Sequence, residues 1–128
     1  MSSQRANVLR PFENLLKGKV LEIGAGCGAI SRFLGETGGQ ILSLEGSPRR
    51  ASIAASRTRD LPNVTVLAER FDEFNTDERF DAITLIGVLE YASMFSDHEN
   101  PSQKMLERIR SLLKPDGHLF IAIETNSA

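Results

Sequence analysis

One acidic residue and three glycines are spaced so that the chain can bind a nucleotide-type ligand. Glu22 precedes Gly24, Gly26 and Gly28, and the apolar residues among 20–23 predict a short strand that is buried on both faces. Glycine allows a positive φ and leaves no Cβ between the backbone and a ligand. A helix that begins after such a turn directs unpaired N–H groups at the same point. The pattern therefore predicts a cradle at the carboxyl end of the first strand.

The cradle is compatible with two classes of ligand. Residues 24–29 satisfy the Gly-x-Gly-x-x-Ala fingerprint of dinucleotide binding. Glu22 separates the classes, because a carboxylate that faces the ligand crevice repels a pyrophosphate and attracts an ammonium and a sulfonium group. The segment Glu-x-Gly-x-Gly-x-Gly resembles motif I of the class I S-adenosylmethionine-dependent methyltransferases. The resemblance implies a set of residues that bind S-adenosylmethionine: Glu22, Gly24, Ala25, Gly26 and Gly28.

A second acid, Glu45, follows the second predicted strand and lies about 20 residues after the glycine motif. At this spacing a carboxylate at a strand end can accept hydrogen bonds from both ribose hydroxyls of a nucleotide. Methyltransferases and NAD-dependent enzymes both use such an acid, so Glu45 does not distinguish them. We expect Gly46 to bind the cofactor beside it. Ser47 and Pro48 then predict a helix that runs to about Arg59.

The segment after the third predicted strand, residues 64–67, is expected to meet adenine. In the family that motif I resembles, an acid at this place accepts from the adenine amino group, and a neighbouring backbone N–H meets the ring nitrogen. That family often has Gly-Asp there, whereas this chain has Glu69 and Arg70. Glu69 and Asp72 both remain candidates for the acid. Phe71 is a candidate either for contact with the adenine face or for the core.

The second half of the chain continues the resemblance. Residues 80–86 resemble the Phe-Asp-x-Val strand of the family, and the segment 87–91 resembles its Val-Leu-Glu-His segment near the methyl group. This implies that Gly87 and Val88 contact the cofactor. No catalytic residue is assigned; His98, in a polar loop, is a candidate for a general base or for a solvated side chain. An amphipathic helix over 102–113, a turn over 114–117 and a fifth strand over 118–123 are predicted next.

The alternation of strands and helices predicts one α/β domain over residues 1–128. Right-handed crossovers give a Rossmann-like, doubly wound parallel sheet of order 3-2-1-4-5. The C-terminal antiparallel hairpin that is usual in the family is lacking, so we expect the chain to be a fragment of a larger protein. The exposed edge of the fifth strand is then expected to pair with a second copy, giving a homodimer.

Charge, cysteine count and hydropathy argue against several classes of function. The net charge is −2, which gives no general basic surface for nucleic acid, and Arg49, Arg50, Arg57 and Arg59 are interpreted as a solvated helix face. The single cysteine, Cys27, excludes an internal disulfide and a cysteine-based zinc site, so no metal is expected and a cytoplasmic location is predicted. No apolar run approaches the roughly 20 residues of a membrane span.

The function predicted from the sequence is S-adenosylmethionine-dependent methyl transfer to a small-molecule acceptor. The segments 85–91 and 121–124 are similar to bacterial methyltransferase domains found beside glycosyltransferases, which implies a sugar or polysaccharide precursor as acceptor. Two other classes of function remain as alternatives. One is a nicotinamide-dependent oxidoreductase of the Rossmann type, and the other is a non-catalytic scaffold of the same fold.

Overall fold

The structure is a computed structural model, and it describes residues 7–88 and 103–124. Within these ranges the strands alternate with helices, as predicted. The strands are β1 (Lys19–Ile23), β2 (Gln40–Leu44), β3 (Val64–Leu67), β4 (Phe80–Val88) and β5 (Leu113–Glu124). The α-helices are α1 (Ala29–Thr37), α2 (Pro48–Arg57) and α3 (Gln103–Leu112). Two 3₁₀ helices cover Arg10–Leu16 and Phe71–Glu73. None of the helices in these ranges is long and apolar enough to cross a membrane.

The strands form one parallel sheet of order β3-β2-β1-β4-β5, which confirms the predicted fold. Because β1 lies at the centre, the turn that follows it opens between β2 and β4. In register, Glu22 of β1 lies between Ser43 of β2 and Thr84 of β4. Parallel strands end at the same edge, so the turns after β1, β2 and β3 meet there.

Helices cover both faces of the sheet and divide the core into two clusters. On one face, Ile30, Phe33 and Leu34 of α1 pack with Leu9 and Leu16 near the first 3₁₀ helix. On the other face, residues of α3 pack against alternate residues of β1 and β4 together with two phenylalanines; this cluster contains Leu21, Ile23, Ile83, Leu85, Phe71, Phe74, Met105, Ile109 and Leu112. Coverage of both faces explains why β1 is apolar apart from Lys19 at its start and Glu22 near its end.

Local signals set the ends of the helices near the glycine turn. α1 ends at Gly38, whose φ of 109° is the left-handed cap that glycine adopts without strain. α2 begins after Ser47, whose side chain accepts a hydrogen bond from Arg50 N at 3.3 Å, with Pro48 in the first turn. The helix ends at Arg57, slightly before the predicted end.

The turn predicted over residues 114–117 is wrong. β5 begins at Leu113 and already pairs with Phe80 there, while the next pair joins His118 to Ala82. The extra residues on β5 form a bulge, so Pro and Gly interrupt the pairing without ending the strand. The first helical segment, Arg10–Leu16, is a 3₁₀ helix with a non-helical residue, Phe12, inside it.

Candidate cofactor-binding site

The glycine turn after β1 is built from backbone conformations that favour glycine. Gly24, Gly26 and Gly28 have φ values of 85°, 57° and 95°. The N–H groups of Gly24 and Ala25 both donate to Leu44 O, at 2.9 and 2.8 Å, which ties the turn to the end of β2. α1 follows immediately, with Gly28 as its N-cap residue. The helix terminus is therefore directed at the turn, as predicted.

Two of these glycines have different steric surroundings. A Cβ added to Gly26 would meet no atom within 4 Å, whereas one added to Gly28 would lie 2.7 Å from the Cα of Ala54 in α2. Gly28 is thus required for the packing of the turn against α2. Gly26 instead borders open space, which is the property expected of a backbone that a ligand approaches.

Glu45 connects the glycine turn to the start of α2. Only 1% of its surface is exposed. Its Oε1 accepts from Gly26 N at 2.7 Å, and its Oε2 accepts from Ser47 N at 3.0 Å. Arg50 Nε lies 3.4 Å from the same Oε2 and makes an ion pair with it. These contacts hold the carboxylate of Glu45 between the glycine turn and the start of α2.

Glu22 was expected to face the ligand crevice, but its carboxyl group is buried beneath the turn, 2% exposed. Its Oε1 accepts from the hydroxyls of Ser31 on α1 and Ser43 on β2, at 2.5 and 2.7 Å. Burial raises the pKa of Glu22 to about 7; the two serine hydrogen bonds oppose this shift, and the charge of Glu45 adds to it. Glu22 is therefore a buried acid that titrates near neutral pH.

The residues proposed for adenine leave β3 beside the end of β2. Glu45 N donates to Leu67 O at 3.0 Å, which holds the two strand ends together. A Cβ on Gly46 would lie 3.0 Å from Cγ of Arg70, so this part of the Arg70 stem lies close to Gly46. Arg70 forms a double hydrogen bond with Asp72, and both are exposed.

The other residues that the sequence suggested for the site lie in the core, at the end of β4, or outside the described residues. Phe71 is 4% exposed and belongs to the cluster with α3, which is the core alternative of the two that the sequence left open. Gly87 and Val88 form the carboxyl end of β4, where their backbones pair with those of Ile123 and Glu124. The segment that contains His98 lies outside the described residues.

Sequence reasoning missed the polar row beneath the turn. Ser43, Glu22 and Thr84 occupy neighbouring register positions, and Ser31 reaches the row from α1; all four are buried. The Thr84 hydroxyl is buried and has no partner among the described residues. A serine or threonine in an otherwise apolar strand was the available signal, since Ser43 interrupts the apolar residues of β2.

The fold and the site together define a Rossmann-like domain with a glycine turn after β1 and an acid at the end of β2. A sequence model of the family described as "Methyltransferase domain" matches residues 21–119. The chain therefore belongs to this family, whose class I members use S-adenosylmethionine as cofactor.

Individual proteins with similar sequences are also methyltransferases. The chain is 32% identical over 103 residues to a demethylmenaquinone methyltransferase of Tropheryma whipplei, covering 80% of this chain and 40% of that protein. It is 29% identical over 110 residues to a ubiquinone biosynthesis O-methyltransferase of Coxiella burnetii, covering 84% and 44%. The chain thus spans about two fifths of the length of these curated relatives.

Solved structures support the fold. The structure described as a DhpI–SAH complex matches with a TM-score of 0.76 at 22% identity, over 98% of this chain and 58% of that chain. A coclaurine N-methyltransferase bound to N-methylheliamine and SAH matches with a TM-score of 0.74 at 18% identity, over 94% and 35%. At this level of identity the likeness bears on the fold alone.

Proposed function

We propose that this chain binds S-adenosylmethionine in the glycine turn and serves in methyl transfer to a small-molecule acceptor. One observation carries the proposal: the Cβ direction of Gly26 is open, while the backbone N–H of the same residue is held by Glu45. A turn that is fixed on one side and open on the other is suited to close approach by a ligand.

Glu45 is proposed to accept hydrogen bonds from the two ribose hydroxyls. The support is its position at the end of β2 and its hydrogen bond from Gly26 N, which places the carboxylate against the glycine turn. Gly24, Ala25 and Gly28 then shape the turn around the remaining part of the cofactor.

The bound cofactor supplies a methyl group on a sulfonium, which is displaced in line by the acceptor. The protein's task is mainly to orient the two partners, because the leaving group is neutral and good. A general base is needed only when the acceptor atom carries a proton that must leave. No residue in the described ranges is assigned that role.

Two observations suggest two different classes of methyl acceptor. The names of the two curated relatives point to quinone-type acceptors, whereas the sequence segments 85–91 and 121–124 point to a sugar or polysaccharide precursor. A transfer assay with labelled S-adenosylmethionine separates them, using a hydroxylated aromatic quinone precursor and a nucleotide sugar as acceptors. Because the relatives are longer, the assay is run on the longest chain that contains this domain and on the domain itself.

Calorimetry distinguishes the proposed function from its rivals. We expect S-adenosylmethionine and S-adenosylhomocysteine to bind with micromolar affinity and NAD to bind far more weakly. Preferential binding of NAD would favour the oxidoreductase alternative. Binding of none of the three ligands would favour the non-catalytic scaffold.

We also propose that the chain pairs with a second copy through β5. β5 is hydrogen-bonded to a strand on one side, β4, in the described sheet. Large apolar side chains are exposed near it: Ile121 lies on the strand, and the ring of Phe12, itself exposed, lies 5.3 Å from that of Phe120. An edge strand can pair with its own copy about a two-fold axis.

Sedimentation at micromolar concentration tests this pairing, with Ile121→Lys as a variant that places a charge on the edge. We expect a dimer for the wild type and a monomer for the variant. A wild-type monomer with rapidly exchanging amides at residues 119–123 would rule out the pairing.

A cytoplasmic location is proposed as well. The chain has one cysteine, Cys27, which is exposed, and an exposed thiol without a partner cysteine is suited to a reducing compartment. Fractionation of cells that express the tagged protein tests this location. Recovery in a secreted or periplasmic fraction would contradict it.

A further inference from the structure

The buried polar row beneath the glycine turn lies on the face of the sheet that α1 covers. Ser43, Glu22 and Thr84 are register partners on β2, β1 and β4. Paired residues on neighbouring strands direct their side chains to the same face of a sheet, and Ser31 reaches this row from α1. Phe120 of β5 follows Thr84 in register, so an apolar residue closes the row on that side.

One acceptor and one donor in this row have no partner among the described residues. The hydroxyls of Ser31 and Ser43 both donate to Oε1 of Glu22. The described part of the chain gives no hydrogen bond to Oε2 of Glu22, and none to the buried hydroxyl of Thr84. A buried hydroxyl without a partner costs free energy. The Thr84 hydroxyl is therefore available to donate to a carboxylate at Glu22.

Within the described ranges no positively charged group contacts the Glu22 carboxyl group. The charge that acts on it is that of Glu45, which opposes its ionisation, and Arg50 pairs with Glu45. Glu22 thus has donors for a carboxylate but no cation that would hold it ionised, and burial raises its pKa to about 7. The other charged or titratable groups on the elements packed around it contact other residues or solvent; these are Arg10, Glu13, Lys19, Arg32, Glu36, Asp81, Lys114, Asp116 and His118.

A ligand that brings a positive charge into the turn supplies the missing cation. S-adenosylmethionine carries a sulfonium, whereas S-adenosylhomocysteine has an uncharged thioether in its place; the rest of the two molecules is the same. A nearby positive charge favours the ionised form of a carboxyl group, and the effect is strongest where water is excluded. By reciprocity, an ionised Glu22 favours the cationic ligand by the same factor.

We propose that Glu22 discriminates between the cationic methyl donor and its neutral product: binding of S-adenosylmethionine drives its carboxyl group to release a proton to solvent, and the Thr84 hydroxyl donates to the carboxylate that is formed. This inference rests on the proposed binding of S-adenosylmethionine. Methyl transfer removes the positive charge of the cofactor, so an ionised Glu22 favours the donor over the spent product. A protonated Glu22 lacks this preference.

Calorimetry on the wild type measures both parts of this linkage. Dissociation constants for the two ligands are measured from about pH 5.5 to about pH 8, in two buffers that differ in their enthalpy of ionisation. We expect the preference for S-adenosylmethionine to rise about tenfold across this range, which corresponds to a fall of about one unit in the pKa of Glu22 on binding. Because this pKa is about 7 before binding, S-adenosylmethionine should release about half a proton near pH 6.5, and S-adenosylhomocysteine much less.

Two variants assign the linkage to the buried row. Glu22→Gln should bind S-adenosylmethionine without this proton release, and its preference should not change with pH. Thr84→Val keeps the shape of the side chain but removes the donor, so the pH at which the preference is half developed should rise by about one unit. Glu13→Gln and Thr65→Val make the same chemical changes at exposed positions and should behave as the wild type.

Each contrary result refutes a different step. If the wild type binds both ligands with a preference that is constant across the pH range, Glu22 does not respond to the charge of the cofactor. If Glu22→Gln keeps the pH-dependent preference, another group releases the proton. If Thr84→Val has the midpoint of the wild type, its hydroxyl does not stabilise the carboxylate. If the wild type binds neither ligand, the proposed function itself fails. The wild-type comparison needs no variant, so it decides the proposal even where a buried substitution prevents folding.

Discussion

The stability of the fold should depend on the charge of Glu22, and the size of this effect follows from its surroundings. In the unfolded chain the pKa of Glu22 is the ordinary 4.5, whereas burial raises it to about 7 in the fold. An acid whose pKa is higher in the fold binds its proton more tightly there, so its contribution is fully present below pH 4.5. The contribution is lost as the pH rises through 7. The difference of about 2.5 pKa units corresponds to about 3 kcal/mol, of which about 2 kcal/mol is lost by pH 6.

Glu22→Gln removes this titration and keeps an oxygen for the two serine hydroxyls. We expect the variant and the wild type to have similar free energies of unfolding near pH 4.5. At pH 8 the variant should be more stable by up to about 3 kcal/mol, less whatever the weaker hydrogen bonds to a neutral amide cost. Urea unfolding between pH 4.5 and 8 measures this difference. Glu13→Gln, which removes an exposed carboxylate, controls for general charge effects. A difference between variant and wild type that stays constant across this range would refute the reasoning.

Two further predictions concern the turn itself. Gly26→Ala should cost about 1 kcal/mol of stability through its left-handed φ and should weaken S-adenosylhomocysteine binding strongly, because the added Cβ enters the open side. Gly28→Ala should destabilise the fold by about 2 kcal/mol or more through its clash with Ala54; equal effects of the two substitutions on stability and binding would contradict this distinction. Glu45→Ala should weaken binding about tenfold to a hundredfold, as expected when charge-assisted hydrogen bonds are lost, whereas Glu36→Ala on the exposed face of α1 should not. Calorimetry and urea unfolding on the same samples separate lost contacts from a loosened turn, and unchanged affinity in Glu45→Ala would exclude the ribose assignment.

The fold could be predicted because its signals are local and repeated. β3 has the predicted bounds, since short apolar runs between turn residues are typical of buried strands. The sheet order followed from alternating strands and helices together with the handedness of crossovers. The bulge in β5 was not predictable in the same way, because Pro115 and Gly117 are typical of a turn. They lie within the strand because Leu113 before them and His118 after them both pair with β4.

The site was predictable in its residue types and less so in its contacts. The positions of Gly26 and Glu45 follow from spacing along the chain, and a hydrogen bond joins them in the structure. The direction of the Glu22 carboxyl group did not follow, because its partners lie 9 and 21 residues away on different elements. Ser43 is conspicuous as a polar residue in an apolar strand, but no spacing in the sequence pairs it or Ser31 with Glu22.

The two acids beneath the turn are stabilised in different ways, and this difference bears on the kind of ligand that the turn accepts. Glu45 is bound by two backbone N–H groups and a guanidinium, all of which favour a carboxylate. Glu22 is bound by hydroxyls, which can donate to a carboxylate or accept from a carboxylic acid, and Thr84 in the next register position offers one more hydroxyl. The surroundings of Glu22 therefore accommodate both of its protonation states. A cation that enters the turn meets a negative charge at Glu22 once this residue has released its proton, whereas a neutral ligand lacks this attraction.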